Sequence, residues 1–172
     1  MKKMKKVYLK IEENLIKLIR YLNTDKYMKL YVKYLSKLGI KFNDGLPKYI
    51  DPSCYFDGVD YSKIEVGKDT VISREVMLLT HDYSISRGLQ AINRLGNREL
   101  RVVEGIKIGR NSFVGARVSI LPGSKIGDDV IIGAGSVIRG NIPDNSIVIG
   151  NPSKIIGDTK AWAENKYKKG IF

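Results

Sequence analysis

Residues Val102–Pro143 read VVEGIK IGRNSF VGARVS ILPGSK IGDDVI IGAGSV IRGNIP, which is seven consecutive units of six residues. Each unit opens with an aliphatic residue, and its fifth position holds a small or β-branched residue. An unbroken period of six is typical of a parallel β-helix, in which the chain winds as a triangular coil and each unit forms about one side. The opening aliphatic residues should stack inside the coil, because one turn alone cannot bury them. The sequence therefore predicts a mainly β fold.

A second, shorter array precedes the first one. Its units are VGKDTV from Val66, ISREVM from Ile72 and LLTHDY from Leu78. The distance from Leu78 to Val102 is a whole number of six-residue units, so the phase of the repeat is kept. Residues 84–101 nevertheless place polar residues and glycine where aliphatic residues belong. We expect them to form a loop expelled from the coil, and loops on rigid scaffolds often carry function.

Residues 1–50 are predicted to form a helical segment, followed by the β-helix at 51–157 and by a tail or short helix at 158–172. Two apolar stripes recur at the three- and four-residue spacing of a helix face. The first stripe consists of Ile11, Leu15, Leu18, Ile19 and Leu22, and the second of Tyr27, Leu30, Tyr31, Tyr34, Leu35 and Leu38. The Asn-Thr-Asp break at residues 23–25 can cap the second helix. We expect both helices to pack on one end of the coil and cover its open edge.

Positive charge is concentrated in the helical segment. The chain carries a net charge of +12, and residues 1–50 hold 13 Lys and Arg against 4 Asp and Glu, a net +9. A basic arm can serve nucleic acid or anionic lipid, whereas a lysine-rich helix face is more often simply solvated. No nucleic-acid motif accompanies this charge, so we expect no nucleic-acid partner. Association with a membrane surface stays open as the less favoured alternative.

Composition favours a cytoplasmic protein. There is no run of 18 apolar residues, so no membrane span is expected, and the N-terminus lacks the features of a signal peptide. The single cysteine, Cys54, forbids an internal disulfide and suits a reducing compartment. We interpret Cys54 as a small hydrophobe rather than a nucleophile.

The one histidine, His81, is the fourth residue of LLTHDY and comes immediately before the expelled loop. A corner of the coil beside a large loop is a natural wall for a cleft. A neutral imidazole is also well suited to remove a proton near neutral pH. Most single histidines are structural, so position alone leaves both roles open.

Several segments together resemble the left-handed β-helix acyltransferases: the hexad runs, THDYS, IGAGSVI and IPDNSIVIGNPSKII. Within that superfamily the chain is similar to the maltose and galactoside O-acetyltransferases and their relatives in polysaccharide biosynthesis, over about residues 55–157. The resemblance implies a left-handed coil and a homotrimer, with acetyl-CoA as co-substrate in the groove between neighbouring coils and no required metal. It implies acetylation of a hydroxyl on a sugar or polysaccharide precursor, with His81 as the general base.

The same resemblance implies which residues meet the coenzyme. Ala116 in VGAR and Ala134 in IGAG match positions whose backbone contacts the pantetheine arm. Arg139 and Lys154 match the region near the adenine and the 3′-phosphate, where a cation is expected because CoA carries several phosphate charges. The family often has Thr-Lys where this chain has Arg139-Gly140. Each of these four residues also has a plain structural reading, as a tight corner or a surface charge.

The acceptor side is less defined by the sequence. Asp82 and Tyr83 could shape the acceptor pocket, and Asn93 belongs to a polar loop suited to a glycan. Asp82 is not expected to orient His81, because successive strand residues face opposite sides. A backbone carbonyl or a residue of another subunit is the favoured partner of His81.

Other functions remain compatible with the sequence. N-acetylation of an amino sugar and acetylation of serine are alternatives within the enzyme class, and a non-catalytic β-helix scaffold is an alternative outside it. The γ-type carbonic anhydrases share the coil but bind zinc through three histidines, whereas this chain has one.

Overall fold

The chain forms a three-sided prism of short strands with helices at one end and at the C-terminus. The computed structural model describes residues 2–58 and 60–171, with side chains from residue 7 onward. The helices are α1 (Lys2–Ile19), α2 (Thr24–Leu38), α3 (Ser84–Ala91) and α4 (Thr159–Lys168). The strands, in chain order, are β1 (Lys41–Asn43), β2 (Tyr49–Ile50), β3 (Tyr55–Phe56), β4 (Ile64–Gly67), β5 (Val71–Ile72), β6 (Met77–Leu78), β7 (His81–Asp82), β8 (Val102–Val103), β9 (Ile106–Ile108), β10 (Phe113–Val114), β11 (Ser119–Ile120), β12 (Lys125–Ile126), β13 (Ile131–Ile132), β14 (Val137–Ile138), β15 (Asn141–Ile142), β16 (Ser146–Gly150) and β17 (Ser153–Asp158).

Three parallel sheets form the sides of the prism. Sheet A has the strand order β1-β4-β9-β12-β15, sheet B has β2-β5-β10-β13-β16, and sheet C has β3-β6-β11-β14. Successive strands along each turn belong to different sheets, so the chain visits the three sides in rotation. β17 pairs antiparallel with β16 at the edge of sheet B. The predicted parallel β-helix is confirmed.

The interior of the prism is built from the stacked aliphatic residues of the repeat. In sheet B, Ile72, Val114, Ile132 and Val148 pair in register, and all four are fully buried. Burying an aliphatic side chain of this size contributes about 1.5–3 kcal/mol, and each turn adds another layer. Val102 differs from the prediction. It lies on β8, outside the three sheets and exposed, because the chain has not yet returned to the prism there.

Hydroxyl groups fill the corners of the prism at the fifth position of the repeat. Thr70, Ser124 and Ser136 are fully buried. Thr70 Oγ1 donates to the Gly109 carbonyl at 2.6 Å, and Ser124 Oγ donates to the Leu121 carbonyl at 2.7 Å. A buried hydroxyl without a partner is costly, so these bonds explain why small hydroxyl residues fit where the backbone turns.

The helix α2 covers the open end of the prism. Its inner face buries Tyr27, Met28, Tyr31, Val32, Tyr34 and Leu35. The Tyr27 hydroxyl donates to the Ile50 carbonyl at 2.7 Å, which ties the helix to the first turn of the coil. Asn23 caps the helix by accepting from the Lys26 N–H at 2.8 Å, as expected. Gly39 ends it in the left-handed conformation.

The helix α1 packs against α2 with a different face from the one predicted. Ile16 is buried, and Leu9 and Ile19 are partly buried against the core. Of the predicted stripe only Ile19 is turned toward the core, whereas Ile11, Leu15, Leu18 and Leu22 are exposed. The difference is that α2 buries six side chains against the core, whereas Ile16 is the one buried hydrophobic side chain among those described for α1.

The antiparallel pair β7 and β8 carries the chain away from the prism between sheets C and A. Residues 81–103 form an excursion from the prism, in which α3 and the turns that follow it lie between these two strands. The Ser86 hydroxyl donates to the Leu100 carbonyl at 2.7 Å and fastens the two arms of this excursion together.

At the C-terminus, α4 follows β17 directly. Asp158 caps α4 by accepting from the Ala161 N–H at 2.9 Å. In the described part of the chain, no helix combines the length and the apolar character that crossing a membrane requires.

Candidate active site

His81 and Asp57 form a close pair where the excursion leaves the prism. Asp57 Oδ2 lies 2.7 Å from His81 Nδ1, and the two side chains are 2% and 23% exposed, respectively. An ionised carboxylate can only accept a hydrogen bond, so Nδ1 carries the imidazole proton and Nε2 presents a lone pair. Among the described residues, no protein group hydrogen-bonds Nε2. This nitrogen is therefore the atom that can take a proton.

The main chain holds both members of the pair. Asp57 follows β3 directly, and its N–H donates to the Leu78 carbonyl of the next turn. Its carboxylate also accepts from the Thr80 N–H and, at 2.8 Å, from the Thr80 hydroxyl. His81 itself is paired with Val103 across the two-stranded excursion. The imidazole is thus oriented by a buried carboxylate and by the strand that carries it.

The expected partner of His81 was wrong. We expected a backbone carbonyl or a residue of another subunit, and the structure instead has Asp57 of the same chain. Asp57 lies ahead of the two hexad arrays, in a turn of irregular length. The regular turns repeat every 18 residues, as in the pairing of Ile120 with Ile138, whereas Phe56 pairs with Leu78, 22 residues on. The 18-residue spacing points from His81 back to Lys63, so the repeat did not single out Asp57.

Asp82 and Tyr83 line an open cleft of about 560 Å³ together with Ser84, Arg87 and Glu99. The Tyr83 ring meets the His81 ring edge-on, with centroids 5.6 Å apart. The Asp82 carboxylate accepts from the Ser84 N–H at 2.7 Å and does not bind His81. That N–H lowers the pKa of Asp82, with further contributions from the Ser84 hydroxyl and the charge on Arg139. The cleft therefore presents a negative charge and a phenol beside the imidazole.

Asn93, the third residue predicted for the acceptor side, lies elsewhere. It is exposed in the turn after α3, with a φ of 54°, and is not among the residues that line the cleft. Arg87 is paired with Glu99 within the cleft, and Arg101 donates to the Tyr83 hydroxyl at 3.2 Å. Arg87 belongs to the same polar loop as Asn93, whereas Arg101 was not singled out for the site, because its position depends on how the excursion folds back.

The four residues predicted for the coenzyme fall at two different corners of the prism. Ala116 and Ala134 follow equivalent strands of sheet B in successive turns, and the Gly135 N–H donates to the Ala116 carbonyl at 2.8 Å. Lys154, on β17, is paired with Ile149 of β16, and β16 lies next to β13 in sheet B. Arg139 instead follows β14 of sheet C, the sheet that leads into His81. The structure thus groups three of these residues and places the fourth on the His81 side.

Cys54 lies apart from this cleft under the helical end. Its thiol donates to the Ser73 carbonyl at 3.3 Å, and burial raises its pKa to about 12. The thiolate that a nucleophilic cysteine needs is therefore disfavoured.

Comparison with known proteins gives matches to one group of enzymes. Residues 105–140 match the family described as "Bacterial transferase hexapeptide (six repeats)". The Escherichia coli K12 protein named "Putative lipopolysaccharide biosynthesis O-acetyl transferase WbbJ" is 30% identical over 155 residues, which cover 83% of this chain and 79% of that protein.

Solved structures agree with this match. A maltose O-acetyltransferase from Clostridium difficile 630 is 25% identical, with a TM-score of 0.57 and 88% of each chain covered. A hexapeptide-repeat acetyltransferase of Vibrio cholerae, VCA0836, complexed with acetyl coenzyme A, shares the fold at 19% identity. Its TM-score is 0.55, over 88% of this chain and 87% of that one.

The fold is the left-handed parallel β-helix that the resemblance implied, and the named relatives with this fold are acetyltransferases. The chain belongs to the hexapeptide-repeat acetyltransferase family.

Proposed function

We propose that this protein transfers the acetyl group of acetyl-CoA to a hydroxyl of a sugar or polysaccharide precursor, with His81 as the general base. The observation that carries the proposal is the Asp57–His81 pair, with Nδ1 engaged by a buried carboxylate and Nε2 unbonded within the described structure, next to the cleft of Asp82 and Tyr83. The names of the relatives support this class of acceptor, because one name refers to lipopolysaccharide biosynthesis and another to maltose.

The geometry supports a direct transfer. His81 Nε2 takes the proton of the acceptor hydroxyl while that oxygen attacks the thioester carbonyl. The Asp57 carboxylate stabilises the imidazolium that results. The tetrahedral intermediate then collapses with cleavage of the C–S bond, and the imidazolium returns the proton to the departing sulfur of coenzyme A. General base catalysis of this kind supplies roughly 10²–10⁴-fold, and positioning of the reactants supplies much of the remainder.

The coenzyme is proposed to lie against the corner formed by Ala116, Ala134 and Lys154. Small residues there leave main-chain groups open to the amide groups of a pantetheine arm. Lys154 adds a cation for the phosphates, and Arg139 would approach them from the other side of the groove. Because Arg139 and His81 belong to a different corner of the same prism, one chain carries two parts of the site that face different directions.

This division of the site supports a homotrimer in which the corner with Ala116 and Ala134 of one copy meets His81 and its neighbouring cleft in the next. The outward positions of sheet B also favour association, because Val71, Phe113, Ile131 and Ile147 align in register and Phe113 is 43% exposed. A solution mass of three times 19.3 kDa is expected. A fully active protein with the mass of one chain would contradict this arrangement.

The test of the function is a panel of acceptors incubated with acetyl-CoA, with release of free thiol as the measurement. Neutral sugars, short oligosaccharides, amino sugars and serine form the arms. We expect turnover with a sugar hydroxyl and none with serine. Preference for an amino group would favour the N-acetyltransferase alternative. Absence of acetyl-CoA binding by calorimetry would assign the chain to the scaffold class and overturn the proposal.

A further inference from the structure

One face of α1 and of the turn after it presents an apolar stripe directed away from the protein body. Tyr8, Ile11, Leu15, Leu18 and Leu22 alternate at spacings of three and four residues, so they lie along one side of the helix. Ile11, Leu15 and Leu18 are 55–62% exposed, and Leu22 is 88% exposed. The opposite side, with Ile16, faces the rest of the protein. A continuous exposed apolar stripe is unusual on a protein surface and marks a site of contact with a partner or a membrane.

Positive charge outweighs negative charge around this stripe. Both carboxylates of α1 are already paired within the helical hairpin: Glu12 with Lys37, and Glu13 with Lys10 and Lys17. The exposed positions of α2 add further lysines that the described structure leaves without an ion pair, namely Lys26, Lys29 and Lys33. The hairpin therefore combines an exposed apolar stripe with an excess of positive charge.

We infer that α1 docks on an anionic lipid surface, with the stripe in the interface and the lysines over the headgroups. Helices of this kind lie in the plane of the interface and bury their apolar face about 5–10 Å deep, with affinity that depends on anionic lipid. Charge decides between this occupant and a second copy of the chain. A second copy would bring a lysine-rich hairpin against another one, with no unpaired carboxylate of α1 to meet it.

The inference does not depend on the proposed acetyl transfer. It concerns a surface formed by α1, whereas His81 and the cleft of Asp82 and Tyr83 lie where the excursion leaves the prism. If both hold, the enzyme would work beside a membrane, which suits a precursor carried on a lipid.

The experiment is sedimentation of the full chain with vesicles, without acetyl-CoA, so that its outcome is separate from that of the activity test. The vesicles contain phosphatidylcholine alone or phosphatidylcholine with phosphatidylglycerol. The test variant is Leu15→Ser with Leu18→Ser, both at exposed positions, so folding is kept and can be verified by circular dichroism. The matched control is Ile92→Ser with Ile171→Ser, which are 61% and 54% exposed outside the hairpin.

We expect wild type and the control to bind the anionic vesicles, with weaker binding to phosphatidylcholine alone and at high salt. The test variant should bind at least ~10-fold more weakly, since the two leucines supply apolar surface that the lipid interface would bury. Absence of wild-type binding to anionic vesicles would overturn the inference, as would equal binding by the test variant. A smaller solution mass for the test variant, without vesicle binding by wild type, would assign the stripe to a second copy.

Discussion

Oδ2 of Asp57 and Nδ1 of His81 lie 2.7 Å apart, although the two residues are 24 positions apart in the chain. The contact bridges two successive turns of the prism, because Asp57 follows β3 and His81 begins β7. Its consequence is chemical, since a carboxylate at Nδ1 selects the imidazole tautomer that leaves Nε2 free to act as a base.

Replacing Asp57 by Asn should therefore lower kcat by roughly 10²-fold or more, as expected when the orienting carboxylate of a catalytic histidine is lost. The amide can donate to Nδ1, which favours the tautomer with the proton on Nε2. The chain has one histidine, so the imidazole nitrogen signals in ¹⁵N NMR all belong to His81. We expect the proton to lie on Nδ1 in wild type and on Nε2 in the variant.

The control for this variant is Asp60→Asn, which removes a nearby carboxylate that accepts from Ser62 and has no contact with His81. Its kcat should stay within a few-fold of wild type. An Asp57→Asn protein with wild-type turnover and an unchanged tautomer would show that the pair has no role in the reaction.

Cys54 should react slowly with thiol reagents and should take no part in acetyl transfer. Burial raises its pKa to about 12, so little thiolate is present at neutral pH. We expect slow reaction with a thiol reagent in the native protein and fast reaction after unfolding. Cys54→Ala should retain acetyl transfer within a few-fold, because direct transfer needs no acyl-cysteine. Loss of activity in a folded Cys54→Ala protein would point instead to a covalent intermediate.

The glycines that follow the opening aliphatic residue are required for close stacking of the turns. A Cβ on Gly109 would lie 2.4 Å from the Gly127 carbonyl oxygen, which is backbone and cannot move aside. Gly109→Ala should therefore lower the free energy of unfolding by about 1–3 kcal/mol or more. Gly88→Ala is the matched control, because a Cβ there meets open space in α3. It should leave stability unchanged or raise it by up to about 1 kcal/mol. Chemical denaturation of both variants measures the difference.

Asp51 lies in the first turn of the prism and is paired with Arg20, the residue that follows α1. Its contribution to the stability of the fold should depend on pH. Burial acts to raise its pKa, but hydrogen bonds from Ser53 and Tyr49 and the charge on Arg20 outweigh burial, so the pKa lies below its usual value of 3.8. A lowered folded-state pKa means that the stabilisation is complete above pH 3.8 and is lost as the pH falls through the folded-state value.

Asp51→Asn should accordingly cost about 1–3 kcal/mol near neutral pH, and the difference from wild type should shrink in acid below pH 3.8. Asp69→Asn is the control, since it replaces an exposed carboxylate at a positive φ that Asn also adopts. Its effect should stay within about 0.5 kcal/mol at every pH. A pH-independent loss for Asp51→Asn would assign the effect to packing rather than to charge.

The repeat predicted the fold because its period is set by local physics. Residues such as Val114 and Ile132 must stack inside for any turn to be stable, and Ser124 must fit a tight corner. These requirements recur every six residues and can be read without coordinates.

The Asp57–His81 pair and the exposed surface of α1 could not be predicted in the same way. Asp57 lies ahead of the two hexad arrays, in a turn of 22 residues rather than the regular 18, so the repeat does not point to it. The stripe containing Leu15 has the pattern of a core face, and pattern alone does not say which side of an amphipathic helix meets its own protein. The excursion between β7 and β8 decides where Arg87 and Arg101 lie, and it follows no repeat.

The most direct test of the account is the effect of His81→Ala on turnover and on coenzyme affinity, measured together. Thiol release gives kcat with the acceptor found in the panel, and calorimetry gives the affinity for acetyl-CoA. We predict that kcat falls at least ~100-fold while the affinity stays within a few-fold, because a general base acts in the transition state and not in ground-state binding. Turnover near the wild-type value would contradict the assignment of His81 as the base.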